Sequence, residues 1–468
     1  MALEIVVVGM GYVGIPAAAL FADVEGFYVT GVQRKSKRSG WKIDYLNEGK
    51  CPIGGSEPGL QELIKKVVKN NKFRVTDDVS VYSNADVILI DVQTPVDKNQ
   101  LPQYDSLKEV CQAVGKRMKS GVMIIIESTV APGTSNYIVK PILEGASDIR
   151  AGEDFNLVYS YERVMVGRLL HNMVNMPRII GGFTHRCAQR GVRLYQNIVK
   201  AELYSTDCLT AEMAKVTENT YRDVNVAFAN EIALICESLG VNVHEVRQLV
   251  NSLPFDSSDP AKNPYRMMHM PGAGVGGHCL PKDPWLLKYG LDVYGKRCFT
   301  PEIILNSRKV NDFMPHHTVK LIEEVLTEKG LRLQDAKICI LGLAFLPNSD
   351  DTRNTPSLKV YNLLKNTCKE IIIHDPFVRR FEGVLLTDSL EDALNGKDCV
   401  VIMTSHKEYL NLQLSQIKKA LNTYAIVDGR NLLNAKECLD AGFSYRGIGI
   451  GRASLGEGTH RMFDCISS

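Results

Sequence analysis

Apolar residues fall along this chain in short unbroken runs rather than in strict alternation. Ile5–Val8, Phe27–Gln33, Ala85–Asp91 and Val122–Glu127 are rich in β-branched residues and close on glycine or polar residues. A run of this kind predicts a strand covered on both faces, as in a parallel sheet. Helical spacing stands between the runs, and the same rhythm returns at Ala336–Phe345, Glu370–His374, Asp398–Met403 and Tyr424–Asp428. Alternating strands and helices predict an α/β fold with two doubly wound sheets. Between the two sets, Leu209–Gly240 keeps helical spacing throughout and stops at a glycine suited to a C-cap. It predicts one long spine helix and a contact between two copies of the chain.

The first strand runs into Gly9-x-Gly11-x-x-Gly14 and then into small, helix-forming residues. The first glycine suits the tight turn, the second a close approach to a pyrophosphate, and the third the packing of helix on strand. The phosphates would rest on the helix N-terminus. Glycines alone are a weak signal, but the flanking strand and helix supply the required context. The turn, with Tyr12 and Val13, is thus a candidate dinucleotide site in a Rossmann-like domain. The second strand ends in Gln33, where an acidic residue would normally bind the adenosine ribose. Arg34, Lys35, Lys37 and Arg38 follow. Either Gln33 bonds the ribose as a neutral substitute and the cofactor is NAD, or the cations hold a 2′-phosphate and it is NADP. The second α/β set lacks the full glycine motif, so a second dinucleotide is not expected. The expected domains are 1–204 (NAD-binding, Rossmann-like), 205–315 (central, helical) and 316–468 (C-terminal, Rossmann-like).

A length of 468 residues calls for two or three domains. The net charge of +2 gives no support to nucleic acid or a membrane surface as the main partner. Twelve cysteines without Cys-x-x-Cys pairs predict reduced thiols and a cytoplasmic setting. The apolar start carries Glu4 and is broken by glycines, which argues against a signal peptide.

The densest chemistry lies in Pro271–Trp285. Four glycines crowd the eight residues before Cys279, and Lys282 and Asp283 follow. Approachable amides and a nearby cation favour a thiolate, the nucleophilic form. The bland alternative is a glycine-rich turn ending in a structural thiol. On the long helix Lys215 and Asn219 stand four apart and share a face. By themselves they would normally form a solvated stripe. Arg353 and Arg430 suit diphosphate or carboxylate oxygens, or surface ion pairs.

Gly274-Val-Gly-Gly-His-Cys279 resembles the active-site loop of the nucleotide-sugar 6-dehydrogenases, the UDP-glucose/GDP-mannose dehydrogenase family. His278 before the thiol resembles the branch acting on N-acetylhexosamines. The likeness continues in Gln93-Thr94-Pro95, Glu127-Ser-Thr-Val-Ala-Pro-Gly133, Tyr159-Ser-Tyr-Glu-Arg163, Gly342–Phe345, Asp350-Asp-Thr-Arg353 and Asp428-Gly-Arg-Asn431. Two departures stand out: Tyr161 replaces a proline, and Leu346 replaces a lysine.

The resemblance implies NAD-dependent, four-electron oxidation of a UDP-sugar C6 alcohol to the uronic acid, with UDP-N-acetylmannosamine as the expected substrate and a surface glycan as the destination. It implies Cys279 as nucleophile, Lys215 and Asn219 at the reacting oxygen, Asp283 managing protons, and Thr129 and Glu162 placing the hydrolytic water. Thr94, Thr129, Arg34 and Arg353 are implied at the cofactor. Glu162, Arg163, Arg266, Gly274, Phe345 and Arg430 are implied at the sugar nucleotide. No metal is expected, and a homodimer is. The alternatives are the same chemistry on UDP-glucose or UDP-N-acetylglucosamine, a two-electron dehydrogenase of the 6-phosphogluconate type, and a nucleotide-sugar-binding protein without turnover.

Overall fold

The computed structural model describes residues 2–37, 39–55, 57–252 and 267–451. Its internal contacts divide the chain into two compact units, residues 1–219 with 282–300, and residues 220–281 with 301–468.

The first unit is built on eight strands: β1 (Leu3–Val8), β2 (Phe27–Val32), β3 (Phe73–Thr76), β4 (Val87–Ile90), β5 (Met123–Ile126), β6 (Asn156–Tyr159), β7 (Arg178–Gly182) and β8 (Leu203–Asp207). Their order is β3-β2-β1-β4-β5-β6-β7-β8, and only the β6–β7 pairing is antiparallel. The unbroken apolar runs serve two cores at once. Val7, Leu89 and Ile125 face one, while Val8, Ile90 and Ile126 face the other. Chain order reverses between β1 and β4, the switch point at which open α/β sheets bind ligands.

The second unit carries six parallel strands: β9 (Lys337–Leu341), β10 (Glu370–His374), β11 (Leu386–Thr387), β12 (Cys399–Ile402), β13 (Ala425–Asp428) and β14 (Ser444–Gly447). They run in the order β11-β10-β9-β12-β13-β14. Both sheets are doubly wound, as expected from the apolar runs.

The spine helix spans Cys208–Leu239. Gly240 ends it with φ of 78°, and the Val241 amide turns back to the Cys236 carbonyl at 2.8 Å. Its C-terminal half is held by polar groups. Buried Arg308, on the helix Glu302–Glu328, donates to Asp223 Oδ1 at 2.6 Å, and Asn311 donates to the same oxygen at 2.9 Å. Asn230 donates to Asn311 Oδ1 at 2.9 Å, and His317 lies 2.8 Å from Glu237. The outward face is apolar: Tyr221, Phe228 and Ile235, seven residues apart, are 61%, 55% and 46% exposed. Among the described residues no helix is long and apolar enough to cross a membrane.

Candidate active site

The dinucleotide turn follows β1 directly. Gly9 adopts φ of 105°, open to glycine at little cost. A Cβ on Gly14 would fall 2.0 Å from the Gly9 carbonyl oxygen, so the helix can start this close only without a side chain there. A Cβ on Gly11 would meet nothing within 4 Å. That open space before the first helical amides, flanked by Tyr12 and Val13, fits a pyrophosphate. The Gln33 carboxamide makes two contacts within the turn region. Its Oε1 accepts the Met10 amide at 3.1 Å, and its Nε2 donates to Ser39 Oγ at 3.0 Å. Gln33 therefore braces the turn, and Arg34 pairs with Glu109 at 2.5 Å on the surface. Thr94 is buried and donates to the Thr129 carbonyl at 2.5 Å, tying the segments after β4 and β5 together.

In the same unit, four of the expected catalytic residues meet in two contacts on the spine helix. Lys215, 5% exposed, donates to the Glu162 carbonyl at 2.8 Å, and its ammonium lies 3.5 Å from Glu162 Oε1. Asn219, one turn on, donates to Asp283 Oδ2 at 2.5 Å. Asp283 is fully buried in the first turn of the helix Asp283–Tyr294, where the helix dipole favours a carboxylate. Lys282 lies 3.4 Å from its other oxygen. Tyr161, at the expected proline position, is buried with its ring 5.1 Å from the Lys215 ammonium. Arg163 turns to Glu218 at 3.0 Å and to the Pro177 carbonyl at 2.9 Å. A lysine held among a carboxylate, a carbonyl and an aromatic face is fixed in position.

In the second unit, the glycine loop before Cys279 packs on the strand-end segment after β9. A Cβ on Gly276 would fall 2.5 Å from the Phe345 Cβ, and one on Gly277 would fall 2.9 Å from the ring. The Gly277 amide donates to the Arg353 carbonyl at 2.8 Å, and Asn354 donates to the Gly277 carbonyl at 3.0 Å. Gly274 has φ of 124° and lies against Pro315 and Pro356. Phe345 and Arg353, two of the expected ligand contacts, thus shape the cysteine loop as well. Arg353 is gripped by Asp351, and Arg430 donates to the Met403 carbonyl at 2.7 Å beside Gly272. Cys279 is half-buried. Arg266 lies outside the described residues.

Sequence reasoning missed Tyr161 as a partner of Lys215, Asn354 as a brace of the cysteine loop, and Glu212. Glu212 is buried and accepts the Gly133 and Ser135 amides, each at 2.7 Å. Burial pushes its carboxyl up to about 7, against the pull of those bonds. Its position one turn before Lys215 was the available signal.

Three family models match the chain. They describe the UDP-glucose/GDP-mannose dehydrogenase family: its NAD binding domain over residues 3–199, its central domain over 209–313 and its UDP binding domain over 339–435. The chain is 37% identical to the UDP-N-acetyl-D-mannosamine dehydrogenase of Pyrococcus horikoshii over 96% of this chain and all of that one. It is 34% identical to the Campylobacter jejuni protein of the same name, over 88% of this chain and 98% of that one. The crystal structure of an NDP-N-acetyl-D-galactosaminuronic acid dehydrogenase from Methanosarcina mazei superposes with a TM-score of 0.86 at 41% identity, covering 98% and 97% of the two chains.

Proposed function

Because the chain belongs to the UDP-glucose/GDP-mannose dehydrogenase family, and is an NAD-dependent UDP-sugar dehydrogenase, we propose that it oxidises the C6 alcohol of a UDP-N-acetylhexosamine to the uronic acid through Cys279. UDP-N-acetyl-D-mannosamine is the substrate we favour, after the relatives that carry its name. The Methanosarcina mazei likeness makes an N-acetylgalactosamine nucleotide the second reading. The division into residues 1–204, 205–315 and 316–468, a cytoplasmic setting and a role in surface-glycan synthesis belong to the same proposal.

The observation that carries the reading is the pairing of Lys215 with Glu162 and of Asn219 with Asp283 on one helix face. Gly9, Gly11, Gly14, Thr94 and Thr129 would hold NAD, and two NAD molecules bound in succession would each accept one hydride. The first oxidation converts the C6 alcohol to an aldehyde. The Cys279 thiolate adds to the carbonyl carbon and gives a thiohemiacetal. The second oxidation leaves a thioester, which water hydrolyses to the carboxylate and the regenerated thiol. Lys215 and Asn219 stabilise negative charge on the C6 oxygen as it forms. Asp283 takes and returns protons, while Glu162 and Thr129 orient the water. Arg353 and Arg430 remain our candidates for the diphosphate or cofactor oxygens, with Arg163, Gly274 and Phe345 at the sugar nucleotide.

The working unit we propose is a dimer formed through the face of Tyr221, Phe228 and Ile235. A row of large apolar side chains left exposed along one face of a long helix calls for a partner on that face.

The test is cofactor reduction by purified protein with NAD and a panel of UDP-sugars. About two reduced cofactors per UDP-N-acetylmannosamine, with little from UDP-glucose, are expected. A ratio near one would remove Cys279 from its role. Turnover of UDP-glucose alone would overturn the substrate.

A further inference from the structure

A buried charge cluster beneath the dinucleotide turn has no part in the chemistry above. Val8 pairs with Ile90, and Ile90 with Ile126, in the parallel register. The next residues on these strands, Gly9, Asp91 and Glu127, are therefore neighbours as well. A Cβ on Gly9 would fall 2.5 Å from the Asp91 carbonyl oxygen. Alternation sends the Asp91 and Glu127 side chains to one face, the face of Leu89 and Ile125.

Both carboxyl oxygens of Asp91, and Oε2 of Glu127, are buried without a hydrogen-bond donor. Glu127 Oε1 is well supplied. It accepts the Tyr195 hydroxyl at 2.5 Å and the guanidinium of buried Arg178. Glu162, from the segment after β6, adds further negative field at Asp91. The groups facing the pair are thus Arg178 from β7, Tyr195 from the helix His185–Tyr195, and Glu162. With both carboxyls ionised and one guanidinium between them, a buried negative charge would be left over, and such a charge is costly. One added proton restores neutrality and gives the orphaned oxygens a donor. Burial first, then the charge of Glu127 and a hydrogen bond with it, hold Asp91 well above the usual carboxylate range.

We propose that Asp91 and Glu127 share one proton, and that the pair, its single negative charge balanced by Arg178, keeps the Gly9–Gly14 turn receptive to the cofactor diphosphate. Asp91 is then a positioning residue for NAD, and the proposal rests on NAD binding at this turn. When the proton leaves to solvent base, a second negative charge appears beside the turn and repels the diphosphate.

The test uses the full chain. Infrared spectra read the protonated carboxyl directly, without cofactor, and NADH titration reads binding from about pH 6 to pH 10. The wild type should show a protonated-carboxyl band at neutral pH that Asp91→Asn lacks. As that band disappears at alkaline pH, NADH affinity should fall roughly ten-fold. Asp91→Asn, and Asp91→Ser should the first fail to fold, should remove that fall. No such band at neutral pH, a wild-type affinity that stays flat to pH 10, or an unchanged fall in the variants overturns the proposal. A protein that shows the band and binds NADH at no pH would count against the cofactor reading instead.

Discussion

Glu212→Gln isolates one buried carboxyl whose ionisation should govern stability near neutral pH. The wild-type carboxylate accepts two backbone amides at 2.7 Å, both from the turn that follows Thr129. Burial nevertheless raises its pKa from 4.5 to about 7. A carboxyl raised on folding contributes stability that is complete below its unfolded pKa and is lost as pH climbs through the folded one. The window is therefore about pH 4.5 to 7, and the loss is about 3 kcal/mol, at 1.36 kcal/mol per unit. Glutamine does not titrate, and its amide sets a donor against one backbone N–H, costing about 1–3 kcal/mol at every pH. The variant should be the less stable protein near pH 5, and by pH 8 the gap should close or reverse. In thermal midpoints the swing is roughly 6–12 °C for a unit of this size. Melting both proteins at several pH values gives the difference directly, with other titrations cancelling. Midpoint curves that stay parallel from pH 5 to 8 would falsify the placement of this titration at Glu212.

Cys279→Ala should lower the rate of complete oxidation by about a thousand-fold or more while NADH binding survives, which stopped-flow and titration check separately. Gly276→Ala drives a methyl to 2.5 Å from Phe345 Cβ, so it should cost about 1–3 kcal/mol in denaturant titrations and raise KM for the UDP-sugar more than it lowers kcat. Phe228→Asp places a charge on the exposed apolar face of the spine helix, and sedimentation should then show the monomer at concentrations where the wild type is dimeric.

The strands were legible because each meets apolar neighbours on both faces, so a short run such as Val87–Ile90 needs no alternation to declare itself. Gly9 and Gly14 were legible for a steric reason that any side chain would violate. Lys215 and Asn219 were found on one face by their spacing, but their partners were not, since Glu162 and Asp283 lie more than fifty residues away in the chain. Separation along the chain likewise hid Asp91 beside Glu127, and Glu212 beneath Gly133 and Ser135. Gln33 shows what local pattern leaves out. Its bonds to the Met10 amide and to Ser39 Oγ brace the turn, and no local pattern announces such contacts.

The spine helix sets a firmer limit on such reading. Apolar spacing says which residues share a face, and the usual inference places that face in the core. Here Ala229, Ala233 and Cys236 obey it, but two seven-residue rows do not. Asp223, Asn230 and Glu237 turn toward the helix Glu302–Glu328, while Tyr221, Phe228 and Ile235 turn to solvent. The inner row is tolerable because its partners are polar: Arg308 and Asn311 both donate to Asp223 Oδ1, Asn230 bonds Asn311, and His317 reaches Glu237. Removing one member would strand a buried charge or amide, a loss of about 3–5 kcal/mol for the Arg308–Asp223 pair, whereas an apolar row there would carry no such penalty. Directional polar pairs fix the register of two long helices more narrowly than interchangeable apolar contacts do. That register sets where residues 271–281 begin, because Asn230 also accepts the Gly272 amide at 2.9 Å. The polar row thus positions the start of the cysteine loop, and the exposed row of Tyr221, Phe228 and Ile235 is the face on which we propose the dimer.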